Sequence, residues 1–255
     1  KDYLIELDGY PFGAAPVKPT GERYALDADG LRLLAPVIPS KVYGLAKNYE
    51  AHAQFMHESG HSEIAHAPED MVIFSKPSTS VIGPDDPIVI PSYSNDMNFE
   101  PEVAVIMGRI AKNVPVEKAM DYVLGFTCVN DVTLRDLQGL DPMWTRAKGF
   151  DTSCPLGPWI QTELDWKDAK ISFTLNGEDV PMASGTTANL IHGIPEQIAA
   201  ISSFSTLLPG DVIMTGTPNA SGHLDPGDEP IVHVAGIGSL RNVVVRGRSE
   251  EHTSE

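Results

Sequence analysis

Glu100 and Glu102 flank a proline in "NFEPEVAVIMGR", at the head of a run, Val103 to Met107, that is otherwise apolar. Side chains alternate along a strand, so the two carboxylates are expected to face one way, about 7 Å apart along the chain. Pro101 has no N–H for a ladder, which places the pair at an edge, a strand start or a bulge. Against an apolar surround two such groups repel each other and take up protons unless a cation neutralises them. Alone, the pair reads as a strand end projecting into water. Asp131 changes that reading, because it follows a second apolar run, "VLGFTCVN", and opens the turn-forming "DVTLRDLQ". Three carboxylates with no His or Cys are a hard-oxygen set, suited to Mg2+ or Mn2+ rather than Zn2+. On an octahedral ion they leave about three positions for water and substrate, as a catalytic site needs.

Three carboxylates exceed the charge of one divalent ion, so basic groups must stand nearby. Lys148 in "WTRAKGFDTSCPLGPW" and Arg135 in "DVTLRDLQ", with Gln138 three residues on, are the candidates. Gly216 and Thr217 in "VIMTGTPNASG" form a further polar element. The glycine lets backbone approach a ligand, and the threonine offers a hydroxyl and an N–H to an oxyanion. "HESGH" (57–61) fits the H-E-x-x-H zinc pattern, but that pattern needs a continuous helix, and Ser59 and Gly60 interrupt it. A polar loop carrying His57, His61 and His66 is the plainer reading.

The elements that must hold these residues are mostly strands. Short apolar runs recur between Pro, Gly, Asp and Ser, among them Val42 to Leu45, Met71 to Phe74, Ile88 to Ile90, Val123 to Val129, Ile171 to Leu175, Val212 to Met214, Ile231 to Val234 and Val243 to Val245. Helices are expected only over Tyr49 to Ser59, Val116 to Tyr122, a turn after Asp131, and Ala188 to Ser203, where isoleucines recur at three and four and Pro195 starts or kinks the helix. Residues 1–36 read as a small strand-and-turn subdomain, 37–248 as the main domain, and 249–255 as a polar tail.

With 35 acidic against 18 basic side chains the formal net charge is −17, which repels nucleic acid and anionic lipid. Any site for a small anion must therefore concentrate lysine and arginine locally. Two cysteines make no disulfide framework, and no apolar run approaches a membrane span, so the expectation is a cytoplasmic protein in a reducing compartment.

Taken in order, "KVYGLAKNYEAH", "IFSKPSTSVIGPDDPI", "FEPEVAVIMGR", "VNDVTLRDLQ", "WTRAKGFDTSCPLGPWI", "LNGE" and "LLPGDVIMTGTP" resemble the fumarylacetoacetate hydrolase family over roughly residues 33 to 245. The closest flavour is the short bacterial and mitochondrial branch that acts on acylpyruvates, fumarylpyruvate and oxaloacetate. The resemblance implies a β-rich α+β fold, a mixed β-roll or sandwich with few helices, and a homodimer. It also implies a Mg2+ or Mn2+ site at Glu100, Glu102 and Asp131. Lys148 corresponds to the lysine beside the metal, Arg135 and Gln138 to polar groups after the aspartate, and Thr217 to the substrate-contacting threonine. His52 corresponds to the general base of an N-Y-x-x-H motif, carried on a lid over about 49–70. Many hydrolytic members have a glutamate three residues after that histidine, whereas here Phe55 stands there. Glu50, Glu58 and Glu63 are the nearby acids that could substitute.

The activity so implied is metal-dependent C–C cleavage of a small 2-oxo acid through an enolate. That means decarboxylation of oxaloacetate, or hydrolysis of acylpyruvate- or fumarylpyruvate-type diketo acids with His52 activating water. Loss of the position-55 glutamate tilts this toward decarboxylation, or toward isomerisation or tautomerisation of an unsaturated 2-oxo diacid. A non-catalytic 2-oxo acid binding protein is the reading from a different class.

Overall fold

The computed structural model describes residues 3–12, 16–26, 28–63 and 65–247, so the tail expected over 249–255 lies outside the described residues. Two compact units divide between Leu33 and Leu34. The first holds an antiparallel pair, Tyr3–Leu7 with Pro19–Ala25.

The second unit is built on a seven-stranded mixed sheet. Its order is Val72–Lys76, Val42–Ala46, Val212–Met214, Pro101–Met107, Val123–Asn130, Cys154–Gln161 and Val81–Ile82. Two neighbouring pairs are parallel, 42–46 with 212–214 and 154–155 with 81–82, and the rest are antiparallel. At its centre Pro101–Met107 is buried along its whole length, which is why the run is continuously apolar rather than alternating. A smaller antiparallel sheet runs Glu178–Asp179, Lys170–Leu175, Pro230–Val234 and Gly238–Arg241. Phe173 of this sheet stacks in the core on Phe99 of the strand Met97–Phe99, with ring centroids 4.0 Å apart. This is the β-rich architecture expected from the sequence.

Helices are few: α1 (Glu50–Glu58), α2 (Arg135–Gln138), α3 (Thr145–Lys148) and α4 (Ile194–Phe204). The helix expected from Ala188 begins only at Ile194. Gly193 is its extended N-cap and Pro195 sits in the first turn, where a missing N–H costs nothing. Residues Thr187–Asn189 form a 3-10 turn instead, so Ile191 is left exposed while Ile194, Ile198 and Ile201 are buried. Val116–Tyr122 is likewise 3-10 rather than α. Among the described residues no helix is long and apolar enough to cross a membrane.

Candidate metal centre and active site

The central strand places most of the site. Glu100 falls between two strands, Met97–Phe99 and Pro101–Met107, with Pro101 opening the second. On one side Pro101 pairs with Asn130, so Asp131 is drawn beside Glu100 and its N–H bonds the Glu100 carbonyl at 2.9 Å. On the other side the end of Val212–Met214 runs antiparallel to the same strand, and Gly216 N–H donates to Glu102 Oε2 at 2.7 Å. Gly216 has φ +104°, and a Cβ there would lie 3.0 Å from the Asn48 Cβ, so glycine is what lets this amide reach the carboxylate. Thr217 lines the cleft, and its hydroxyl donates to the Pro101 carbonyl at 3.1 Å. Ligand oxygens of Glu100, Glu102 and Asp131 lie within 4.8 Å of one another, and each of the three residues is at most 3% exposed.

Cations surround this trio. Lys148 Nζ bridges Glu100 Oε2 at 2.6 Å and Asp131 Oδ2 at 2.5 Å. Arg135 pairs with Glu100 Oε1 and donates to Gln138 Oε1 at 2.7 Å and Ser221 Oγ at 2.8 Å. Lys76, itself 1% exposed, stands 2.7 Å from Asp131 Oδ1 and donates to the Val132 and Ser153 carbonyls. Burial raises the Glu100 carboxyl, but Arg135, Lys148 and His52 outweigh it and hold the group well below the usual carboxylate range. Burial alone would lower Lys148, yet Asp131 and Glu100 together raise it. Glu102 is the exception: among the described residues no lysine or arginine pairs with it. Burial, Asp131 and Glu100 push its carboxyl well above its ordinary value. A buried carboxylate left without a cation in an all-oxygen cluster is a group that a hard divalent ion would pair with, so the residues fit Mg2+ or Mn2+.

His52, on α1, turns its ring toward the trio. Its Nδ1–H donates to the Asn219 carbonyl at 2.6 Å, and because a carbonyl only accepts, Nε2 is left as the acceptor, 3.8 Å from Glu100 Oε1. Burial pushes the imidazole down to about 4, with Glu100 only partly offsetting it, so the ring is neutral at pH 7. Phe55 packs beside it, with centroids 6.4 Å apart. None of the three nearby glutamates reaches His52. Glu50 bonds His66, Glu58 accepts from Gln54, and Glu63 is exposed. The zinc pattern also fails. Helix α1 stops at Glu58, Gly60 takes φ +79°, and His57 and His61 point into exposed positions rather than along one helical face.

A solvent-open cleft of about 240 Å3 reaches this centre, walled by Leu45, Met56, Phe74, Trp144, Lys47 and His61. Four of the chain's 18 basic side chains, Lys47, Lys76, Arg135 and Lys148, stand in or against it, which supplies the local positive charge that a net −17 chain needs to admit an anion. Lys76, Ser221, the Asn219 carbonyl and Lys47 are site groups that sequence reasoning missed. Only Lys76 had a readable signal: period-2 alternation from the buried Phe74 carries it to the core face.

Both cysteines are buried and free, and burial pushes both thiols up to about 12. At pH 8 about one thiol in 10^4 is then ionised. Native protein treated with Ellman's reagent at pH 8 should release essentially no colour over an hour, and two equivalents per chain after denaturation; prompt native labelling would contradict the packing around Cys128 and Cys154.

Comparison with known proteins gives the family. Residues 41–245 match the fumarylacetoacetate (FAA) hydrolase C-terminal family, and residues 1–36 match an Rv2993c-like N-terminal family. The chain belongs to the fumarylacetoacetate hydrolase family. Among relatives in that family is the mitochondrial oxaloacetate tautomerase Fahd2a of Rattus norvegicus, 38% identical over 83% of this chain and 69% of its own. Among solved structures, a 5-carboxymethyl-2-hydroxymuconate delta-isomerase from Mycobacterium smegmatis superposes with TM-score 0.84 at 42% identity, covering 96% of this chain and 90% of that one. Maleylpyruvate hydrolase from Sphingobium sp. SYK-6, in complex with manganese(II) ion and pyruvate, superposes with TM-score 0.74 at 30% identity, covering 89% of this chain and 78% of that one. Family members therefore include isomerases, tautomerases and hydrolases, and fold alone does not choose among them.

Proposed function

We propose that this protein interconverts keto and enol forms of a small oxaloacetate-type 2-oxo acid, with Mg2+ or Mn2+ held by Glu100, Glu102 and Asp131. The observation that carries the reading is His52, whose Nε2 faces the carboxylate trio as a free acceptor while its other nitrogen is fixed by a backbone carbonyl instead of a carboxylate. A divalent ion there supplies Lewis-acid polarisation of the 2-oxo group and charge stabilisation of the enolate oxygen. In the ketonising direction Nε2 accepts the enol O–H proton, the O–H electron pair becomes the π bond of the 2-oxo group, and the C2=C3 pair takes that proton from Nε2–H at C3, which returns His52 to its neutral form. In the reverse direction Nε2 removes the C3 proton, the C3–H pair forms C2=C3, the carbonyl π pair moves to oxygen, and Nε2–H returns the proton there. Arg135 and Lys148 offset the negative charge around the reacting atoms, and Thr217 and Gln138 line the cleft beside them.

Decarboxylation of oxaloacetate is the second reading. It is favoured by Phe55, because losing CO2 into the same enolate requires no activated water and so no carboxylate partner for His52. Two readouts on oxaloacetate separate these readings: decay of enol absorbance, and release of pyruvate. Tautomerisation accelerates the first without the second. With either metal, His52→Ala should slow enol decay about 10²- to 10⁴-fold, the usual range for one general acid–base group, with Mn2+ affinity unchanged. Wild-type enol decay in His52→Ala would remove His52 from the reaction.

A further inference from the structure

We infer that Lys47 is a specificity-determining residue that receives the distal carboxylate of a dicarboxylic 2-oxo acid, distinguishing it from a monocarboxylic one. This rests on the 2-oxo acid reading of the site but assigns a residue that reading does not use.

The cleft that reaches Glu100, Glu102 and Asp131 has Lys47 in its wall, on the loop between the Val42–Ala46 strand and α1. The charges of the other cations at this centre are already met: Lys148 by Glu100 and Asp131, Arg135 by Glu100, and Lys76 by Asp131. Lys47 Nζ instead donates to a neutral group, Ser62 Oγ, at 2.5 Å. An ammonium has three donors, so one bond to a hydroxyl leaves two for an incoming anion. The residue is only partly exposed, and it holds a left-handed backbone, φ 54°, without being glycine or asparagine.

Charge supports the same assignment. The three carboxylates carry −3, while Lys76, Lys148 and Arg135 with a divalent ion carry +5. The balance of +2 matches one carboxylate plus an enolate oxygen. A second carboxylate needs one more positive charge, and Lys47 provides it.

The test is binding of oxaloacetate and of pyruvate to Mn2+-loaded protein, followed by water-proton relaxation, which reads occupancy and not turnover. Lys47→Met should weaken oxaloacetate about 10- to 100-fold, the value of a hydrogen bond between charged groups, and leave pyruvate unchanged. Lys47→Arg should retain most of the discrimination, and Ser62→Ala should leave the oxaloacetate-to-pyruvate ratio as in wild type. Equal weakening of both ligands by Lys47→Met, no weakening of either, or a Ser62→Ala variant that reproduces Lys47→Met would overturn the inference and leave Lys47 as a clasp on the loop after α1. Wild-type protein that binds neither acid also overturns it. Should the protein discriminate through Lys47 yet fail to accelerate enol decay, the tautomerase reading falls and this one stands.

Discussion

Glu102→Gln is expected to abolish Mn2+ binding and to cut turnover about 10³-fold, while leaving the metal-free protein as stable as wild type or more so. The activity loss follows from the several kcal/mol that Lewis-acid stabilisation supplies, at about 1.4 kcal/mol per tenfold in rate. The stability effect follows from the environment of this carboxylate. It is buried among like charges, no described lysine or arginine pairs with it, and its hydrogen bond comes from the Gly216 amide, which the glutamine carbonyl oxygen can accept equally well. A neutral isostere thus removes repulsion and keeps the bond. Calorimetric Mn2+ titration together with thermal unfolding in EDTA checks both halves. Wild-type Mn2+ affinity in Glu102→Gln would dismiss the three-carboxylate site.

Lys148→Met should behave in the opposite way. Its ammonium bridges Glu100 and Asp131 with almost no exposure, so its removal leaves two buried carboxylates short of a partner. Breaking a buried pair from one side costs about 3–5 kcal/mol, which for a domain of this size lowers Tm by about 10 °C. Added Mn2+ should recover much of that loss, because the ion brings positive charge to the same oxygens. The Mn2+-induced rise in Tm should therefore be larger in Lys148→Met than in wild type. Equal rises would mean that the ion binds away from Glu100 and Asp131.

The contrast between these two variants shows where sequence reasoning reaches and where it stops. Both residues could be named from residue type and motif order. That Glu102 is left without a cation while Lys148 is shared by Glu100 and Asp131 depends on which cations fold against which oxygens, and the cations come from far along the chain: Lys76 in one strand, Arg135 after another, Lys148 in α3. His52 makes the same point. The acids that the sequence offers as a substitute partner, Glu50, Glu58 and Glu63, are all local to Phe55. The structure supplies a backbone carbonyl from Asn219, 167 residues away in sequence, and backbone groups carry no residue-type signal at all.

Much of this protein is nonetheless determined by its sequence alone. Apolar runs bounded by turn residues fix a β-rich domain, since burial rewards the alternation or continuity of those runs wherever they pair. The order of Glu100, Glu102 and Asp131 around two such runs fixes a hard-oxygen ligand set. Only the tertiary structure decides that they meet. The register pairing Pro101 with Asn130 sets Asp131 beside Glu100, and the neighbouring strand end brings Gly216 to Glu102. One step of slip would turn either side chain to the opposite face, so the site exists because strand pairing, a long-range choice made by the whole core, holds that register.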